Sequence, residues 1–187
     1  MKSILAVLMF ISCISAAWAD TSSSPVKVPH AVRKDIFSSV RCEADIPKAL
    51  IGQKGSNEKV ATLEGRHKDI GLKDLGASEV SDQLSEISWQ ICGSEFMLLE
   101  DNNSVVQDVL LFPPHSKSAP EFVGACKLNG QEMPETIVAV LANKDGVDVL
   151  SATSAWRIDK TDKKFVKIFT DGLICPRDGI ITDDGGL

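Results

Sequence analysis

The chain has 187 residues and a formal net charge of −6, from 20 Lys and Arg against 26 Asp and Glu. This acidic balance argues against a nucleic-acid-binding protein, because neutralising phosphates requires clustered basic side chains. It argues equally against adhesion to an anionic membrane. A chain of this length is expected to form one domain with a sizeable apolar core.

The N-terminus has the pattern of a secretory signal peptide. Lys2 provides the positive charge, Ile4 to Ile11 are mostly apolar, and Ala17-Trp18-Ala19 is a small-residue cleavage motif. We therefore predict that residues 1–19 are removed. The apolar run is too short to span a bilayer. The alternative is a lipoprotein anchored at Cys13, although Phe10 is unusual for that motif.

The predicted mature chain divides into three parts. Residues 20–30 form a polar, proline-bounded flexible lead-in, residues 31–180 a single globular domain, and residues 181–187 a frayed tail. Loss of Lys2 leaves 19 basic against 26 acidic residues, a net charge of −7. No later stretch is apolar enough for a transmembrane helix. The sequence thus predicts a periplasmic or secreted protein.

Four cysteines remain after the predicted cleavage. An even number in an oxidising compartment predicts two disulfides, and their spacing matches no zinc module. Three pairings are open at this point. The residues concerned are Cys42, Cys92, Cys126 and Cys175.

The apolar pattern predicts an α+β fold. Ile87 to Phe112 is read as three antiparallel strands, separated at Gly93-Ser94 and at Asp101-Asn102-Asn103. Further short strands follow, giving an antiparallel meander of six to eight strands braced by disulfides. One to three short helices precede it, including one capped by Asp45 with Pro47 in its first turn. A β-sandwich is the alternative.

Catalytic motifs are absent from the sequence. It lacks the G-x-S-x-G, S-x-x-K and H-E-x-x-H patterns, and no carboxylate or histidine spacing predicts a metal or cofactor. The one weak catalytic candidate is His67, as a base that Asp69 or Glu64 would orient.

Two segments are candidate binding surfaces. The first is the proline-rich loop from Pro113 to Pro120, because exposed loops on a rigid scaffold often carry binding residues. The second is a hairpin whose tip carries several lysines and could contact an anionic partner. The candidate residues are His115, Ser116 and Lys117 in the loop, and Trp156, Lys163 and Lys164 in the hairpin.

We identify no resemblance to a known family. The leading hypothesis is an exported, non-catalytic binding module, an inhibitor or accessory of another exported protein. The alternatives are a small hydrolase that uses His67 as its base and a structural envelope component.

Overall fold

The computed structural model describes residues 35–55, 57–116 and 118–177. These residues form two antiparallel sheets with eleven strands and a few short helices. The predicted signal peptide, the lead-in, the anchor residue Cys13 and the frayed tail lie outside the described residues. The strands are β1 (Lys73–Ser81), β2 (Leu84–Ile91), β3 (Ser94–Asp101), β4 (Val106–Leu111), β5 (Glu121–Gly124), β6 (Lys127–Leu128), β7 (Gln131–Glu132), β8 (Ile137–Leu141), β9 (Val149–Asp159), β10 (Lys164–Ile168) and β11 (Leu173–Pro176).

Short helices precede the first strand. They are a 3₁₀ helix (Ile36–Ser39), α1 (Ile46–Leu50), α2 (Val60–Arg66) and a second 3₁₀ helix (Lys68–Ile70). The predicted cap of α1 is present, because the Asp45 side chain accepts a hydrogen bond from the Lys48 backbone N–H at 3.0 Å. Apolar side chains of this region pack on one face of the first sheet, where Phe37 and Leu50 share a core with Trp89.

The first sheet is a meander in the order β1-β2-β3-β4. The segment Ile87 to Phe112 thus forms most of β2 and all of β3 and β4, as the sequence predicted. The β2–β3 turn uses Cys92 and Gly93, both with positive φ (54° and 79°), the geometry of a two-residue type I′ turn. Strand β3 is buried on both faces, with Leu98 against the helices and Met97 against the second sheet.

The second sheet has the order β5-β8-β9-β11-β6-β7, with β10 paired to β9. Its apolar residues Val138 and Ile158 pack against Met97 and Leu99 of the first sheet. This arrangement is consistent with the predicted α+β class and with the β-sandwich alternative, and does not single out either one. The prediction of six to eight strands was too low. Strand β1 is mostly polar with one buried residue, and β6 and β7 have only two residues each, so none of the three shows the apolar alternation of a strand.

Two disulfides are formed. Cys42 pairs with Cys92, and Cys126 pairs with Cys175. The first joins the helical region to the β2–β3 turn, and the second joins β11 to the segment before β6. Both bonds are consistent with an extracellular or periplasmic location. Within the described ranges, no helix has the length and apolar character needed to span a membrane.

Candidate binding site

His115 lies against two carboxylates, one twenty positions before it in the sequence and one six positions after it. Its Nε2 atom lies 2.8 Å from Oε2 of Glu95 and 4.0 Å from Oε2 of Glu121. Glu95 belongs to β3 and Glu121 begins β5, so the cluster joins the two sheets. The side chains of His115, Glu95 and Glu121 are 19%, 16% and 7% exposed. These three residues therefore form a largely buried polar cluster between the sheets.

The backbone around His115 is braced at several points. The Phe112 N–H donates to the Glu95 carbonyl at 2.9 Å, and Ser116 and Ala119 exchange backbone hydrogen bonds of 3.3 and 2.8 Å. The Phe112 ring meets the imidazole of His115 edge-on, with centroids 5.4 Å apart. The described residues of the predicted loop thus hold the imidazole in place through these contacts.

A cleft of about 780 Å³ opens beside this cluster. It combines charged, amide and apolar groups, and Leu111 at its border is 55% exposed. Its lining residues include Lys73, Gln90, Glu95, Leu111, Pro113 and His115. The second carboxylate oxygen of Glu95, Oε1, is buried and has no hydrogen-bond partner among the described residues. An unpaired buried carboxylate oxygen is costly unless something else binds it.

The other two loop candidates are Ser116 and Lys117, and the structure describes only Ser116. Ser116 is exposed, and its hydroxyl lies 2.9 Å from that of Ser118. Lys117 lies outside the described residues. Whether either residue binds a ligand stays a prediction.

The candidate hairpin, β9–β10, carries less free positive charge than the sequence indicates. Lys163 Nζ lies 3.5 Å from Asp101 Oδ2. Lys164 Nζ donates to Asp162 Oδ2 at 2.8 Å, and this hydrogen bond raises the pKa of Lys164. Trp156 is half-buried, with its ring 6.1 Å from that of Phe112. Trp156 and His115 therefore contact the same phenylalanine, Phe112.

His67 is paired with a carboxylate that the sequence analysis did not consider. Its Nε2 lies 2.8 and 2.9 Å from the two oxygens of Asp35, which also binds Arg66. The predicted orienting groups lie elsewhere, because Asp69 is exposed and Glu64 accepts from the backbone N–H of Asp74 at 2.9 Å.

The burial of His67 does not support a role as a general base that contacts a substrate. His67 is only 8% exposed. It lines neither the large cleft nor a smaller one of about 270 Å³ beside Asp35 and Trp89. Burial alone would raise the pKa of Asp35, but hydrogen bonds from His67 and Arg66 hold that pKa below its usual value. A catalytic role of His67 stays a prediction.

Two further carboxyl groups are buried in the first sheet. Burial raises the pKa of Glu86 to about 7, although the hydroxyls of Ser88 and Ser78 donate to it at 2.6 and 3.2 Å. Burial, and then the charge of Asp101, raise the pKa of Glu100 to about 7 as well. Neither group lines the large cleft.

Sequence reasoning missed three of these acidic residues: Asp35, Glu86 and Glu121. A signal was present for the last two, since each lies in a strand next to apolar residues. A charged residue in such a position is either solvated on an outer face or held by a partner within the fold. Only the positions of the two sheets distinguish these outcomes.

Comparison of the chain with protein-family models, with curated proteins and with solved structures gave no match.

Proposed function

We propose that this protein is an exported, non-catalytic binding module that binds another exported protein at the cleft beside His115. The observation that carries the proposal is that Pro113, Pro114 and His115 line a cleft of about 780 Å³, with the His115 imidazole held by Phe112 and Glu95. Binding residues on a rigid scaffold and a preformed concavity are the usual features of a recognition site.

The brace around His115 reduces the entropic cost of binding. Ordering a flexible loop on association costs roughly 0.5–1.5 kcal/mol for each immobilised side chain. Here Phe112 and Glu95 already hold the imidazole. A partner would therefore meet a loop whose central residue is fixed beforehand.

The exposed Leu111 provides the apolar contact that protein recognition needs. It lies at the border of the cleft, 55% exposed, beside the charged and amide groups that line the rest. A few side chains contribute most of the affinity in many protein interfaces, and we propose Leu111 as one of them here. A partner side chain in the cleft could contact Leu111 and donate hydrogen bonds to polar lining groups at the same time.

Export is supported by the two disulfides and by the predicted leader. Disulfides persist in the periplasm and outside the cell, but they are rare in reducing compartments. We assign the β9–β10 hairpin a secondary role at most, because Asp101 and Asp162 already neutralise Lys163 and Lys164.

The test starts from affinity capture with the oxidised, leader-free protein in periplasmic extract and spent medium. A partner purified from either source is then titrated against the wild type and a Leu111→Ser variant. The matched control is Val149→Ser, because Val149 is a similarly exposed apolar residue (49%) on the second sheet. We expect Leu111→Ser to weaken binding by roughly tenfold or more and Val149→Ser to leave it unchanged.

Equal affinities for the wild type and Leu111→Ser would place the interface elsewhere. In that case, a Lys163→Gln, Lys164→Gln double variant that loses binding would assign it to the hairpin. An empty capture from both sources would contradict a stable protein partner and would favour a small-molecule ligand.

A further inference from the structure

We propose that Glu95, His115 and Glu121 form a binding site for one divalent first-row transition-metal ion, with Zn²⁺ as the reference ion. The candidate ligand atoms are His115 Nε2 and one carboxylate oxygen from each glutamate, and they all lie within 4.8 Å of one another. The inference does not depend on the proposed protein partner, because it concerns binding of the metal ion alone.

The distances between these atoms are close to those of a metal centre. Ligand atoms at about 2.0–2.2 Å from zinc in tetrahedral geometry are roughly 3.3–3.6 Å apart. His115 Nε2 lies 2.8 Å from Glu95 Oε2 and 4.0 Å from Glu121 Oε2. One distance must lengthen and the other must shorten, each by less than about 1 Å, a change that side-chain rotation can supply.

The three side chains are held in place by different parts of the fold. Glu95 lies in β3 of the first sheet, Glu121 begins β5 of the second sheet, and His115 lies in the loop between β4 and β5. The Phe112 N–H bond to the Glu95 carbonyl sets the loop beside β3. A bound ion would therefore link the two sheets and stabilise the native state by mass action.

A second, independent feature points to a cation. Glu95 Oε1 is buried and has no hydrogen-bond partner among the described residues, while its neighbour Oε2 contacts His115. Buried carboxylate oxygens are normally hydrogen-bonded or bound to a metal. A metal ion at this position could bind Glu95 through one or both oxygens.

The donor set indicates the class of metal. One imidazole and two carboxylates suit borderline divalent ions such as Zn²⁺, Co²⁺ and Mn²⁺. Ca²⁺ takes six to eight oxygen ligands as a rule and is a poor fit for a histidine site. Glu95 and His115 also line the large cleft, which gives the ion a path from solvent and leaves room for water on its open side.

The test uses the oxidised, leader-free protein, stripped of metal with a chelator. Zn²⁺ binding is measured by calorimetry, and Co²⁺ binding by its visible absorption, which reports coordination by protein ligands. We expect one ion per chain for both metals, a higher melting temperature with Zn²⁺, and no response to Ca²⁺.

Variants then assign the ligands. Glu95→Gln, His115→Gln and Glu121→Gln should each weaken Zn²⁺ affinity by roughly tenfold or more, since each removes a ligand. The control is Glu64→Gln, which changes a carboxylate outside the cluster and should bind Zn²⁺ as the wild type does. Circular dichroism checks that each variant is folded. If Glu121→Gln does not fold, Glu95→Gln decides the result, because Glu95 is the more exposed of the two glutamates.

Three outcomes would overturn the metal site: no saturable Zn²⁺ or Co²⁺ binding, undiminished binding in both Glu95→Gln and His115→Gln, or loss of binding in Glu64→Gln alone. The proposed protein interface fails independently, through unchanged partner affinity of Leu111→Ser. Each result therefore identifies which of the two proposals is wrong.

Discussion

The imidazole of His67 lies against both oxygens of the Asp35 carboxylate, at 2.8 and 2.9 Å from its Nε2 atom. Thirty-two positions separate the two residues in the sequence. The Asp35 side chain is 1% exposed and also accepts a hydrogen bond from the Phe37 backbone N–H at 3.0 Å. Asp35 thus joins the beginning of the first 3₁₀ helix to the end of α2.

We expect Asp35→Asn to destabilise the protein by about 3–5 kcal/mol, the usual cost of removing one partner of a buried ion pair. The pKa of Asp35 is lowered in the folded protein, so its contribution is present above the usual value of 3.8 and is lost as the pH falls through the lowered value. The free energy of unfolding of Asp35→Asn should therefore decrease less than that of the wild type as the pH falls. Urea unfolding between pH 2 and pH 7 measures both effects.

Asp69→Asn is the matched control for Asp35. Asp69 is two residues from His67 but exposed, so its substitution should change the free energy of unfolding by less than about 0.5 kcal/mol. If Asp69→Asn were the more destabilising change, Asp35 would not be the partner that holds His67.

Glu86 should make the protein less stable as the pH rises from 4.5 to 7. Its pKa in the folded protein is about 7, above the usual 4.5, so the unfolded chain loses this proton first as the pH increases. We expect Glu86→Gln to be more stable than the wild type at pH 8, by about 3 kcal/mol, and nearly equal to it at pH 4. Thermal unfolding at the two pH values provides the measurement.

The exposed strand residue Glu79 gives the control for the substitution itself, and Glu79→Gln should change the free energy of unfolding by less than about 0.5 kcal/mol. A Glu86→Gln variant that is less stable than the wild type at pH 8 would mean that the bonds from Ser88 and Ser78 outweigh the burial of the charge.

The central meander could be predicted from sequence because its signals are local. Strands β2, β3 and β4 are each apolar and of ordinary length, and Gly93 and Asn102-Asn103 lie in the turns between them. The Asp45 cap of α1 is local for the same reason, since donor and acceptor are three residues apart.

The polar clusters could not be predicted because they depend on packing between distant segments. Glu95 and His115 are twenty residues apart and meet only because β4 turns back along β3. Of the three residues in this cluster, only His115 was a candidate from the sequence, because it lies in a predicted loop. Its two carboxylate neighbours become visible only when both sheets are in place.

Reduction of the disulfides should lower the melting temperature strongly. The bonds Cys42–Cys92 and Cys126–Cys175 span 50 and 49 residues, and closing loops of this length stabilises a protein by about 4 kcal/mol each in the chain-entropy account. We expect each double Cys→Ser variant, which lacks one disulfide, to show roughly half of the decrease in melting temperature that full reduction causes. Calorimetry with and without reductant measures it, and an unchanged melting curve with free thiols in the native protein would contradict the predicted oxidising compartment.

Substitution of Phe112 should both destabilise the protein and disturb the position of His115. It is 2% exposed and packs against the rings of both His115 and Trp156. We expect Phe112→Ala to cost about 3–5 kcal/mol, as for other buried aromatic residues, and Phe112→Leu to cost less. Urea unfolding gives these values, with Phe169→Ala as the control, because Phe169 is 92% exposed and should change stability by less than about 0.5 kcal/mol.

The same variant distinguishes a brace from simple core packing. Phe112→Leu keeps a large apolar side chain, so the protein should remain folded. It removes the edge-on ring contact with the imidazole, so His115 should become free to move. We therefore expect broadened His115 ring signals in NMR spectra of Phe112→Leu and sharp ones in Phe169→Ala. Sharp His115 signals in both variants would show that Glu95 alone fixes the imidazole, and Phe112 would then contribute to stability without ordering the loop.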